Sequence, residues 1–234
     1  MNPILVALDV ESAARAIALA DTLRGSVGGF KIGKQLFTAA GPSMVRELTS
    51  RGDRVFLDLK FHDIPNTVAG AVQAAVATGA WMVNVHASGG SAMMEAAAAA
   101  AHTTAETLGL PRPLVIAVTV LTSMDNEGLA EIGVARPMLD QVVHLATLAQ
   151  ASGLDGVVAS PQEVRAIRSA CGSDFQIVTP GIRPAGQQGK DDQARTLTPA
   201  QAIAAGSSYL VIGRPITAAP NPREAAESIA ATLQ

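Results

Sequence analysis

Residues 54–79 read RVFLDLKFHDIPNTVAGAVQAAVATG. A short apolar run with a β-branched residue, 54–59, is followed by an Ala-rich amphipathic stretch near 66–79 that closes on a glycine. That is a strand followed by a helix. The same two-part unit recurs on both sides. Candidate strands lie at 3–9, 29–33, 54–59, 81–86, 114–120, 155–159, 175–179 and 208–212. Helical stretches fall near 11–24, 35–51, 66–79, 90–108, 137–152, 161–171, 199–205 and 222–233. Eight β-then-α units with short connections predict a closed parallel (β/α)8 TIM barrel. The rival is an open doubly wound sheet. Eight units, and no Gly-x-Gly-x-x-Gly after the first strand, favour the barrel.

Helix ends carry their own chemistry. Gly25, Gly52, Gly79, Gly109, Gly153, Gly172 and Gly206 each follow a helical run, where a left-handed residue is favoured. Ser160-Pro161 and Thr198-Pro199 each read as an N-cap followed by proline at the first helical position.

The 234 residues are 48% hydrophobic but only 3% aromatic, so the core is expected to be Ala, Val, Leu and Ile. Barrels of about 200–250 residues routinely form one domain, and a single catalytic domain over 1–234 is expected. The formal charge of −3 carries no basic excess of the kind that marks a nucleic-acid binder. One cysteine, Cys171, permits neither an intramolecular disulfide nor a multi-cysteine metal site. The start has no basic n-region, and no uninterrupted apolar run reaches the about 18 residues of a membrane span. A cytoplasmic protein without membrane or nucleic-acid partners is the expectation.

Barrel active sites form at the C-terminal ends of the strands. Polar residues at those ends are Asp9, Lys31, Asp58, Lys60, Asn84, His86, Thr122, Ser123, Ser160, Thr179, Arg183, Gly213 and Arg214. Asp58, Lys60 and Asp63 are the sharpest signal. Residues two apart on a strand share a face, so Asp58 and Lys60 project together. Charges crowded at a barrel mouth are costly unless they pair, and Asp9 and Lys31 converge on the same rim. A purely structural ion pair is the alternative. The second signal is a phosphate grip: Gly213 and Arg214 after the eighth strand, and Arg183 after the seventh. The polar stretch 183–197 follows that seventh strand, and long loops in compact domains are commonly functional. His62 reads as a loop-packing residue. Asn84 with His86 could ligate metal, but no matching His or Cys accompanies them, so a structural role is favoured. Trp81 reads as packing.

With these residues in view, the chain resembles the orotidine 5′-phosphate decarboxylases of the bacterial type. The matching segments are 6–9, 30–33, 56–67, 118–123, 179–184 and 211–215, with FLDLKFHDIPNT the most specific. The resemblance implies decarboxylation of orotidine 5′-phosphate (OMP) to uridine 5′-phosphate (UMP) and CO2, with no metal and no organic cofactor. It implies that Lys60 protonates C6 of the pyrimidine, beside Asp58 at the substrate carboxylate. Asp63 completes an Asp-Lys-Asp array from the other subunit of a homodimer, and Thr67 contacts the ribose from that subunit. Lys31 bridges the array and the ribose, and Asp9 binds a ribose hydroxyl. Ile64, Thr122 and Ser123 contact the substrate, the last two at the pyrimidine edge. Arg183, Gln193, Gly213 and Arg214 hold the phosphate. The rivals are a metal-dependent sugar-phosphate enzyme sharing Asp-x-Lys-x-x-Asp, and a non-catalytic phosphate-ligand sensor.

Overall fold

The computed structural model describes residues 2–184 and 196–233. Eight parallel strands close into a barrel in chain order: β1 (Ile4–Ala7), β2 (Gly29–Gly33), β3 (Val55–Phe61), β4 (Met82–His86), β5 (Leu114–Val118), β6 (Gly156–Val158), β7 (Gln176–Thr179) and β8 (Tyr209–Ile212). The ring shuts where β8 pairs with β1, with Leu5 opposite Val211. The open-sheet alternative is thereby excluded.

Helices cover the outside: α1 (Ala13–Leu23), α2 (Lys34–Ala40), α3 (Pro42–Ser50), α4 (Pro65–Val76), α5 (Ser91–Leu108), α6 (Asn126–Glu131), α7 (Met138–Ala151), α8 (Val164–Cys171), α9 (Pro199–Ala205), α10 (Arg214–Thr217) and α11 (Pro222–Ala231). All seven glycines expected at helix ends have positive φ. Gly109 shows why: at φ 63° and ψ 29° it caps α5 in the left-handed region, where a side chain is disfavoured. Thr198 caps α9 as expected, in a reciprocal capping box with Gln201.

Three expectations about helices are corrected. The stretch 35–51 is two helices, α2 and α3, divided at Gly41, because proline at 42 disfavours continued helix before it. Ser160 is not an N-cap: α8 begins only at Val164, and the Glu163 carboxylate accepts the Ser160 N–H at 2.9 Å. The short helices α6 and α10 lie where no helix is expected.

Two apolar layers hold the barrel. Inside the ring, Leu5, Ala7, Phe56, Met82, Ile116, Val178 and Val211 pack together. Between ring and helices lies the larger cluster, rich in Ala, Val, Leu and Ile. The aliphatic expectation holds for both layers: Leu5, Ala7, Ile116, Val178 and Val211 make up most of the interior, where Phe56 and Met82 add bulk, and Phe30, Phe175 and a few methionines do so in the outer layer. At the N-terminal end of the strands Trp81 meets Tyr209 edge-on at 5.2 Å, with the Arg54 guanidinium 5.4 Å over the Trp81 ring. Trp81 is thus a packing residue, as expected.

Candidate active site

The strand ends converge on a cavity of about 470 Å3, within the range of small-molecule sites. Its apolar floor includes Ala7, Phe56, Val118, Val158 and Val211. Charge enters from β1 to β3, and arginines from the ends of β7 and β8.

The charges form an alternating chain. Lys31 Nζ lies 3.0 Å from Asp9 Oδ1 and 3.5 Å from Asp58 Oδ2. Asp58 Oδ1 in turn lies 2.5 Å from Lys60 Nζ. Lys31 is 7% exposed, a burial that a lone ammonium would not tolerate without its two carboxylates. Gly33 makes room for this pair: a Cβ there would sit 2.9 Å from both Asp9 Oδ1 and Lys31 Nζ. Burial alone would raise the Asp58 carboxyl pKa. The ammonium groups of Lys31 and Lys60, with hydrogen bonds from Lys60 and Asn84, hold it below the usual value instead.

Lys60 reaches Asp58 by a route that strand alternation does not describe. Its φ is +54°, the only positive φ among described non-glycine residues. The pairing of β3 with β4 shifts between Leu57 and Phe61, around this residue. The two side chains therefore meet, as expected, but on a backbone that has left the extended conformation. Asn84, fully buried on β4, bridges the irregularity. Its Oδ1 accepts the Lys60 N–H at 2.8 Å, and its Nδ2 donates to Asp58 Oδ1 at 2.7 Å. The structural role favoured for Asn84 is thus a role inside the charged centre. Its neighbour His86 lies 5.5 Å, ring to ring, from His62. Burial, then the electrostatic influence of the neighbouring His62, Lys60 and Lys34, pushes the His86 pKa down to about 4. Among the described residues, no cluster of three or more His, Cys, Asp and Glu is disposed to hold a metal ion.

The remaining expected residues divide into two groups. Thr122, Arg183, Gly213 and Arg214 line the cavity. A Cβ on Gly213 would meet only Ala7 Cβ, at 3.6 Å, so the space it leaves belongs to the cavity. The ends of the stretch after β7 are tied together: Ile182 pairs with Leu197, and the Arg183 N–H donates to the Leu197 carbonyl at 3.1 Å. Gln193 lies outside the described residues. Thr217, on α10, also lines the cavity and was not anticipated. In contrast, Asp63, Ile64, Thr67 and Ser123 are exposed and do not line the cavity of this chain. Asp63 Oδ1 accepts the Ile64 N–H at 2.7 Å rather than joining Lys60. Ile64 is 67% exposed and, with Ile132 at 64%, is among the most exposed large apolar side chains of the described residues.

Comparison with known proteins bears on this arrangement. The sequence model of the family described as "Orotidine 5'-phosphate decarboxylase / HUMPS family" matches residues 2–229. The orotidine 5′-phosphate decarboxylase of Moorella thermoacetica is 58% identical over 234 residues, covering all of this chain and 92% of that protein. That of Paramagnetospirillum magneticum is 55% identical over 233 residues, covering 99% of it. The crystal structure of orotidine 5′-phosphate decarboxylase from Lactobacillus acidophilus superposes with a TM-score of 0.89 at 39% identity, over 100% of both chains. With a match running from the first strand to the last helix, the chain belongs to the orotidine 5′-phosphate decarboxylase / HUMPS family.

Proposed function

We propose that this protein is a carboxy-lyase that converts OMP to UMP and CO2 without a metal or organic cofactor, acting as one domain over 1–234 in the cytoplasm. The observation that carries the reading is the Lys60 ammonium, held by Asp58 and backed by Asp9 and Lys31, in a cavity that also contains Arg183 and Arg214. Membership of the family and the segment FHDIPNT after Lys60 support OMP over a sugar phosphate.

The chemistry follows from the charges. Cleavage of the bond from C6 to the carboxylate leaves an electron pair in the plane of the pyrimidine ring, where the π-system cannot spread it. A fixed ammonium stabilises that pair as it develops and then transfers a proton to C6. CO2 departs, UMP forms, and the Lys60 amine regains its proton from solvent. Asp58, kept ionised by its two lysines, faces the leaving carboxylate and favours its loss. Lys31 and Asp9 orient the ribose. Thr122, which lines the cavity, meets the pyrimidine edge. Arg183, Gln193, Arg214 and the backbone at Gly213 grip the phosphate. Binding energy gathered there, remote from the breaking bond, orients the reacting centre.

A second copy of the chain completes this site. Asp63, Ile64 and Thr67 are exposed at the edge of β3 and the start of α4. A homodimer would carry them to the neighbouring cavity, with Asp63 joining the array, Ile64 beside the substrate and Thr67 at the ribose.

The test is incubation of the purified protein with OMP, followed by the fall in ultraviolet absorbance and identification of UMP. Conversion that persists in EDTA is expected. Conversion that disappears in EDTA and returns with Mg2+ would contradict metal independence. Binding of OMP without conversion would favour the sensor.

A further inference from the structure

We infer that Asn84 is a positioning residue that sets the place of the Lys60 ammonium through the backbone of Lys60 itself. The inference rests on the proposed decarboxylation. It concerns a residue with no contact to the cavity, since Asn84 is not among its lining residues.

Three observations converge on this amide. First, Lys60 occupies the left-handed region at φ +54°, a conformation that an L-residue holds only where its surroundings fix it. Second, the regular pairing of β3 with β4 is interrupted between Leu57 and Phe61, so the strand ladder does not fix it. The Asn84 Oδ1 accepts the Lys60 N–H that the interrupted ladder would otherwise leave unpaired, at 2.8 Å. Third, the same amide donates through Nδ2 to Asp58 Oδ1, the oxygen that also faces Lys60 Nζ. One planar group thus fixes both ends of the Lys60–Asp58 contact. The backbone origin of the lysine and the carboxylate that receives its tip are held in a single frame.

The chemistry of the side chain is specific. The site needs an acceptor facing the peptide N–H and a donor facing the carboxylate, and a neutral amide supplies both. Aspartate is nearly the same shape and could still accept from the Lys60 N–H. It could not donate to Asp58, and its charge would add a second carboxylate next to the first. Alanine removes both contacts. Asn84 is completely buried, and both ends of its amide are satisfied inside the centre.

The experiment compares wild-type protein, Asn84→Asp and Asn84→Ala in three readouts: kcat for OMP, the Kd for UMP by calorimetry, and the melting temperature. Loss of a hydrogen bond to a charged group corresponds to a fall of about ten- to a hundredfold in kcat. That fall is expected in both variants, with UMP affinity within about threefold of wild type because the binding residues keep their places. A merely structural asparagine would instead lower the melting temperature and leave kcat of the folded fraction unchanged. If Asn84→Ala does not fold, the nearly isosteric Asn84→Asp carries the test. A kcat for folded Asn84→Asp within twofold of wild type would overturn the inference. Failure of the wild-type protein to convert OMP would overturn the functional reading on which it rests, and the two failures are distinct.

Discussion

The left-handed backbone at Lys60 predicts an inversion of the usual effect of glycine. Two substitutions remove the ammonium: Lys60→Ala keeps a Cβ at φ +54°, and Lys60→Gly does not. Neither strands a buried carboxylate, because Asp58 retains Asn84 at 2.7 Å and Lys31 at 3.5 Å. Neither removes the N–H that donates to Asn84. The difference between the variants therefore isolates the backbone. The left-handed conformation costs a residue with a Cβ about 1–2 kcal/mol. Glycine avoids that cost but loses more freedom on folding, by about 0.5–1 kcal/mol. Lys60→Gly should then be the more stable variant by about 0.5–1 kcal/mol, or about 1–4 °C in Tm for a chain of this size. Urea denaturation and thermal melts of the two proteins side by side measure the difference. In an extended strand glycine would be the less stable choice. An alanine variant as stable as the glycine variant, or more so, would refute the strained geometry.

Other consequences can be checked separately. Arg214→Ala should weaken UMP by about ten- to a hundredfold, the scale of a lost hydrogen bond to a charged group, and leave uridine affinity unchanged. Equal losses for both ligands in calorimetry would argue against a phosphate grip. The His86 pKa of about 4 lies below its ordinary 6.5, so the unfolded chain takes up the proton first. The associated stability is complete above pH 6.5 and is lost as pH falls from 6.5 towards 4. The ring is only half-buried, so solvent screening reduces the effect to about 1–2 kcal/mol. His86→Gln should flatten the stability profile across that window, and an unchanged slope would contradict the assignment. Asp155 accepts from Arg112 and, at 2.7 Å, from the Val115 N–H at the start of β5. Asp155→Ala should cost about 1–3 kcal/mol by leaving a buried N–H unpaired, with the urea midpoint as the measure.

The barrel was legible because each unit repeats the same two periods, and the chemistry of parallel strands buried on both faces is unambiguous in runs such as LVIAV at 114–118. Strand limits were less so. β1 stops at Ala7 and β5 at Val118, short of the apolar runs that contain them, whereas β3 continues to Phe61. Apolar character reports burial, which outlasts ladder pairing at the mouth of a barrel. The division at Gly41-Pro42 was visible in the sequence as a break signal. The helices α6 and α10, six and four residues long, are too short to show a period.

Within the site, the spacing points to the Asp58–Lys60 contact but not to the route by which it forms: the positive φ of Lys60 leaves no signal, because no propensity favours a lysine there. Asn84 did leave a signal: a lone amide inside Met-Val-Asn-Val-His, an otherwise apolar strand, must find partners when buried. The spacing of Asp9 and Lys31 along the chain reveals nothing of their contact. It follows from the parallel pairing of β1 with its neighbour β2, which sets Ala7 opposite Lys31.

The most direct measurement is kcat for OMP of Lys60→Ala against wild type, at saturating OMP and in EDTA, with folding of the variant verified by its melt. A wild-type enzyme unaffected by the chelator is expected. Lys60→Ala is expected to fold and bind UMP but to turn over slower by at least about a hundred- to a thousandfold, the scale of losing one preorganised charge at the reacting centre. A folded variant that turns over within a factor of about three of wild type, less than 1 kcal/mol of barrier, would contradict the role of Lys60 as proton donor.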